Sequence, residues 1–202
     1  AVENGVGLYV DTSVSSIRIE GNDFVLETNK GEICVSCVIN AAGANADKIA
    51  GMVGDESFKL QGTKHQRIIF DKGCDGVVKH IIRGINGMWP GDFVMPTVYG
   101  DIMAGSKVEE VEDITDRSTT REGLEDWVIP HYQRMIPCLS PAKIIKPFAG
   151  FIPEAGIDYY IKPAPELPRF INMVLGASGF TASVAMSRHL IEELLPDTGI
   201  KM

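Results

Sequence analysis

Short runs of alternating apolar and polar positions fill the first forty residues. Residues 8–11 form an apolar strand candidate, and 17–20, 24–28 and 33–36 follow as alternating runs. Gly21-Asn22-Asp23 and Asn29-Lys30-Gly31 separate them with residues that favour turns. The pattern predicts a β-meander. It leads into Cys37-Val38-Ile39-Asn40-Ala41-Ala42-Gly43, an apolar stretch ending in small residues and read as a buried strand. A helix is expected next, over residues 46–53.

The middle of the chain reads mostly as β. Strand candidates are 64–70, 77–83, 93–96 and 102–106, with turns at Trp89-Pro90-Gly91-Asp92 and Tyr99-Gly100-Asp101. Residues 119–135 change to helical spacing, with Leu124, Trp127, Val128, Tyr132 and Met135 able to share a face. Pro130 should kink or split that helix. Further strands are expected at 144–148 and 159–161, and a strongly apolar one at 170–175. A glycine-flanked turn at 176–179 then opens a last helix, 181–195, which Pro196 should stop. The whole predicts an α+β (mixed α/β) fold, with an antiparallel-rich sheet and flanking helices.

Composition narrows the function classes. Of 202 residues, 45% are hydrophobic, enough for a real core. The formal net charge of -8 argues against nucleic acid or an anionic membrane as main partner. No apolar run approaches the ~20 residues that span a bilayer, and no signal peptide opens the chain. The chain opens on Ala1 within what reads as a helix end, so it is expected to begin inside a longer protein. The four cysteines do not have disulfide-scaffold spacing, which favours a reducing, cytoplasmic setting. Cys34 and Cys37 could be half a zinc site, but no second pair stands at suitable spacing, and no metal is expected. Glu109-Glu110-Val111-Glu112-Asp113 reads as a solvated loop.

Two segments could carry chemistry. The strand–turn–helix unit around Gly176 and Gly179 would let backbone approach a ligand closely, with helix N-terminal amides behind it. Such a device suits an oxygen that gains negative charge. By pattern alone it is equally an ordinary tight turn with Ser178 near the cap. The small residues after Asn40 share that ambiguity: a ligand could lie against them, or they could merely permit close helix packing.

Order and spacing across nearly the whole chain add a resemblance. Val38-Ile39-Asn40-Ala41-Ala42-Gly43-Ala44-Asn45-Ala46-Asp47 looks like the late strand of the dinucleotide domain in the D-amino-acid-oxidase-like superfamily of FAD-dependent oxidoreductases. Met95-Pro96-Thr97-Val98-Tyr99-Gly100-Asp101 through Gly105 is similar to a segment of its glycerol-3-phosphate dehydrogenase and L-2-hydroxyglutarate oxidase branch. So are Phe148-Ala149-Gly150-Phe151-Ile152-Pro153 and the stretch from Asn172 to Ala182.

The resemblance implies FAD as cofactor. Ala41, Ala42 and Gly43 would lie near its adenosine and pyrophosphate, and Val14 near the adenine. Gly150, Ile152, Gly176, Gly179, Phe180 and Thr181 would surround the isoalloxazine. His65 would sit on a substrate-domain strand and could take a proton from a substrate hydroxyl; it could equally be a surface histidine. The implied division is 1–58 as part of an FAD-binding domain, 59–144 as a substrate-binding domain, and 145–202 as a return to the first. The implied activity is oxidation of glycerol 3-phosphate or a 2-hydroxy acid by hydride transfer to flavin. Alternatives are an amine or amino acid substrate, or a non-catalytic binding module that keeps the scaffold.

Two departures stand out. Ile152 occupies the place of an arginine that commonly holds the substrate anion, so another cation such as Arg83, Lys64 or Lys146 would have to serve. The dinucleotide fingerprint is also absent: Gly5-Val6-Gly7 has no strand before it and no helix after it. The expected partners are therefore a small-molecule substrate and an N-terminal FAD-binding segment outside this sequence. No motif assigns an electron acceptor or a peripheral membrane partner.

Overall fold

The three runs bounded by Gly21 and Gly31 fold as the alternation predicts. In a computed structural model of the protein, which describes residues 2–74, 76–84, 93–156 and 159–199, β1 (Val14–Glu20), β2 (Asp23–Thr28) and β3 (Gly31–Val35) form an antiparallel meander. Ile17 faces Leu26 across the first pair, and Phe24 faces Val35 across the second. Gly21 and Gly31 take positive φ, at 64° and 117°, which their turns require. Ile17 and Phe24 are buried with Val38, Ala164 and Phe170. Residues 8–11 do not form the expected strand. Leu8, Tyr9 and Val10 are exposed, and Asp11 adopts φ 51°, which breaks extended backbone.

The chain divides into two compact units, Ala1–Leu60 with Pro153–Met202, and Gln61–Ile152. The first unit also holds β4 (Val38–Asn40), the short helix α1 (Ala46–Gly51), and the late strands β10 (Tyr159–Ala164) and β11 (Leu167–Leu175). The strand order is β10-β11-β4, with β10 antiparallel and β4 parallel to β11. Phe170, Ile171 and Asn172 pair with Val38, Ile39 and Asn40.

The second unit is a five-stranded sheet in the order β6-β7-β8-β5-β9. Its strands are β5 (Gln61–Phe70), β6 (Ile82–Arg83), β7 (Phe93–Pro96), β8 (Ile102–Glu110) and β9 (Ile144–Glu154), β9 running on across the division between the units. Only the last two residues of the expected 77–83 strand are extended in pairing. The turn expected at residues 89–92 lies outside the described residues. Ile68, Phe70, Val94, Ile102, Ala104, Val128, Tyr132 and Leu139 form the core, with the Tyr132 ring edge-on to Phe70 at 5.0 Å.

Both helical prolines sit just behind widened turns. Residues Glu122–Val128 wind as π-helix, and α2 (Ile129–Met135) carries Pro130 in its first turn. The last helix, α3 (Gly179–His189), likewise passes through a π-wound stretch, Leu190–Leu194, before α4 (Leu195–Asp197) with Pro196 in its first turn. Proline lacks an N–H and its ring crowds the carbonyl a turn behind. A widened turn relieves that crowding: at Pro130, where a kink or split is expected, the winding changes from π to α, and at Pro196, where a stop is expected, the helical run continues to Asp197.

β5 departs from simple alternation. Its core-facing positions are Lys64, Gln66, Ile68 and Phe70, all buried. Lys64 Nζ donates to Asp116 Oδ2 at 2.7 Å. Gln66 Nε2 donates to Glu109 and to Thr120 Oγ1, and Gln66 Oε1 accepts from the Thr120 amide at 2.8 Å. Glu109 and Glu110 are therefore the end of a strand and not the start of a loop. The Asp116 carboxyl is held below its usual range by the Lys64 hydrogen bond and then by those from Ser118.

Candidate functional site

Parallel pairing decides where the small-residue segments go. β4 and β11 run in one direction, so both leave their sheet at the same edge. Ala41, Ala42 and Gly43 follow β4 there, and Gly176 to Thr181 follow β11. Two segments far apart in sequence thus leave from the carboxyl ends of adjacent parallel strands, β11 running three residues beyond its pairing with Asn40, at the end of the sheet where open α/β folds take ligands.

A buried polar network fixes this edge. Asn40 Nδ2 donates to the Ala46 carbonyl at 2.7 Å and to Asn172 Oδ1 at 2.8 Å. Asn40 Oδ1 accepts from the Ala42 amide at 3.3 Å. Asn172 Nδ2 donates to Asp55 Oδ2 at 2.8 Å, and Asp55 Oδ1 accepts from the Ser57 amide at 2.9 Å. All three side chains are buried, Asn172 completely. The loop at 41–46 is therefore clamped to both strands by amides that have no water to turn to. Asn172 and Asp55 were missed as positioning residues by sequence reasoning. The only available signal was a polar residue inside the apolar run at 170–175.

The two glycine turns differ in kind. Gly43 has φ 58°, and a Cβ there would meet open space. A Cβ on Gly179 would stand 3.0 Å from Leu175 Cβ. Gly179 therefore serves the fold of the turn, which its amide closes onto the Gly176 carbonyl at 3.1 Å. Behind that turn the first-turn amides of α3 lack intrahelical partners and carry the positive end of the helix dipole. Phe180 is 98% exposed and Val184 80%, with Ile191 also exposed further along the helical run. Val14 stands at the start of β1, where the register slips, with its side chain against the Ile17–Phe24 core.

His65, Gly150 and Ile152 belong to the second unit. His65 lies on the β5 face opposite Lys64 and Gln66, together with Thr63 and Arg67. His65 Nε2 shares a hydrogen bond with Thr63 Oγ1 at 2.9 Å. Burial, and then the Arg67 charge, depress its pKa from 6.5 to about 4. The ring is therefore neutral at physiological pH. Gly62 brings β9 close: a Cβ there would overlap the Ile152 carbonyl oxygen and the Phe151 ring. A Cβ on Gly150 would meet open space.

The replacement cations separate clearly. Lys64 is buried on the other face of β5 and committed to Asp116. Arg83 and Lys146 are exposed. Arg67, which sequence reasoning passed over, shares the His65 face. Among the described residues no cluster of three or more His, Cys, Asp or Glu could hold a metal, and all four cysteines are unpaired. No helix among the described residues is long and apolar enough to cross a membrane.

Comparison with known proteins adds the following. The profile of a family described as FAD dependent oxidoreductase matches residues 1–193. A glycerol 3-phosphate dehydrogenase from Caloramator mitchellensis is 30% identical over 197 residues, covering 96% of this chain and 41% of its own length. Glycine oxidase from Geobacillus kaustophilus superposes with a TM-score of 0.75 at 18% identity, over 97% of this chain and 51% of its own. The L-alpha-glycerophosphate oxidase from Mycoplasma pneumoniae, solved with FAD bound, gives 0.73 at 21% identity, over 91% and 50%. The chain thus spans about two fifths to one half of the length of these relatives.

Proposed function

The chain belongs to the family of FAD-dependent oxidoreductases, and from that premise we propose that it contributes one edge of the flavin site and the donor-side sheet of a longer enzyme. That enzyme oxidises glycerol 3-phosphate or a 2-hydroxy acid. The observation that carries the reading is the shared strand edge of Ala41–Gly43 and Gly176–Thr181 in the first unit.

The residues present fit part of FAD. Gly43 opens onto free space, the α3 amides favour a partly negative oxygen, and Phe180 and Val184 leave apolar surface uncovered. Ala41, Ala42 and Gly43, with Val14, would hold the adenosine and pyrophosphate side. Gly176, Gly179, Phe180 and Thr181 in the first unit would serve the ring. When bound, FAD supplies the two-electron acceptor for the donor's hydride. The remaining work falls to side chains of this chain. His65, neutral and oriented at Nε2 by Thr63 Oγ1, takes up the donor's hydroxyl proton.

Two features support a further flavin-binding segment as partner. β4 is an edge strand of its sheet, with Ile39 43% exposed, and α3 presents Phe180 and Val184 uncovered. The unpaired cysteines support a reducing, cytoplasmic setting.

An amine or amino acid donor is the second reading, since the scaffold is shared with glycine oxidase. Loss of the anion-holding arginine at Ile152 favours a non-catalytic module as the third. The full-length protein decides among them. It is expected to purify yellow, and anaerobic addition of glycerol 3-phosphate or a 2-hydroxy acid should bleach its flavin. Bleaching by amino acids alone would establish the second reading. A folded, colourless protein that cannot be reconstituted with FAD would establish the third.

A further inference from the structure

Among the described residues, Arg67 is the one cation on the His65 face of β5, and no acid is matched to it. Positions two apart on a strand share a face and lie ~6.6 Å apart along it, so Arg67 stands beside His65. Its strand partner is Gly105, where a Cβ would sit 2.7 Å from the Arg67 side chain. That glycine leaves room for the guanidinium to cross β8 and stack on Phe93, 5.5 Å from the ring centre. Arg67 Nε is buried and has no hydrogen-bond partner among the described residues. No carboxylate among the described residues lies within ion-pairing distance of it, whereas Lys64 on the opposite face has Asp116 at 2.7 Å and Glu109 at 3.9 Å.

A half-buried guanidinium without a carboxylate beside it is costly unless an anion pairs with its charge. We propose that Arg67 holds the anionic group of the donor, a carboxylate or phosphate, and so takes over the role of the arginine replaced at Ile152. A guanidinium offers parallel N–H donors to two oxygens of either group. Phe93 and the Gly105 gap fix the direction of the fork. His65 stands on the same face of β5, two positions away. The proposal rests on the hydroxy-donor reading for its chemistry, though its test does not depend on turnover.

The test is calorimetric titration of the full-length, flavin-loaded protein with glycerol 3-phosphate, lactate and inorganic phosphate. Glycerol and lactamide serve as the uncharged counterparts. At least one oxyanion should bind, and its uncharged counterpart should bind about 30-fold more weakly or worse. Arg67→Met should weaken the oxyanion by a similar factor with flavin content unchanged. Arg67→Lys, which keeps charge but loses the fork, should fall between. Arg67→Gln keeps the length and a donor without charge, and gives the same answer if the methionine variant does not fold. Unchanged oxyanion affinity in Arg67→Met or Arg67→Gln overturns the proposal. So does a wild-type protein that binds none of the oxyanions. Flavin reduction on the same samples separates the two readings. Bleaching by a donor that ignores Arg67→Met removes Arg67 and keeps the oxidoreductase. Arg67-dependent oxyanion binding without any bleaching keeps the anion site and removes the hydroxy-acid activity.

Discussion

Removing Asn172 should loosen the strand edge more than any other small change in the first unit. Its side chain is fully buried, accepts from Asn40 and donates to Asp55. Asn172→Ala leaves Asp55 Oδ2 buried without that donor, which costs about 1–3 kcal/mol. The lost Asn40 bond adds about 1 kcal/mol, tempered because Asn40 Nδ2 keeps the Ala46 carbonyl. The total is about 3 kcal/mol. With a urea dependence of about 2 kcal/mol/M, the unfolding midpoint should fall by about 1.5 M. Far-UV circular dichroism measures that midpoint. Amide exchange across residues 41–46 should rise with it, because the clamp acts on that loop. A midpoint change below about 0.3 M, with unaltered exchange at 41–46, would refute the claim that this network holds the edge.

Two more expectations concern the second unit. Asp116→Ala should destabilise the protein more than Lys64→Met, because the first strands a buried ammonium with Glu109 at 3.9 Å while the second removes the charge that needs a partner; equal or reversed urea midpoints would show that the pair is only a surface contact. His65 has a folded pKa of about 4 against an ordinary 6.5. Above pH 6.5 it is neutral folded or unfolded and contributes nothing. Between 6.5 and 4 the unfolded chain binds a proton that the folded one refuses, so stability falls as pH falls. The drop in urea midpoint from pH 7.5 to 4.5 should therefore be smaller in His65→Gln than in the wild type, and an equal drop in both would contradict a buried, neutral ring.

The alternation of apolar residues was enough to determine the meander, and continuous apolar runs marked the late strand before α3 and the strand at 38–40, which was expected to be buried but exposes Ile39 as an edge strand. Such patterns record which face of one element is buried, and that is a local property. The two prolines show where local reading stops. Pro130 and Pro196 are helix breakers by covalent geometry, yet a widened turn ahead of each lets the helical run continue. Residues 8–11 look like a strand, but a strand also needs a neighbour.

The candidate site divides the same way. The small residues at 41–43 and the glycines at 176 and 179 stood out in the sequence because backbone exposure has a compositional signature. That they share one edge follows only from the parallel pairing of β4 with β11, across about 130 residues of chain. Lys64 and Arg67 look alike as nearby cations on β5. The pleat sends one into the core toward Asp116 and the other to the face of His65. The sequence by itself determined most of the elements and the kinds of residue at their ends. The tertiary structure alone decided which ends meet, which cation already has a partner, and which polar side chain is buried, because pairing register and burial depend on residues distant in the chain.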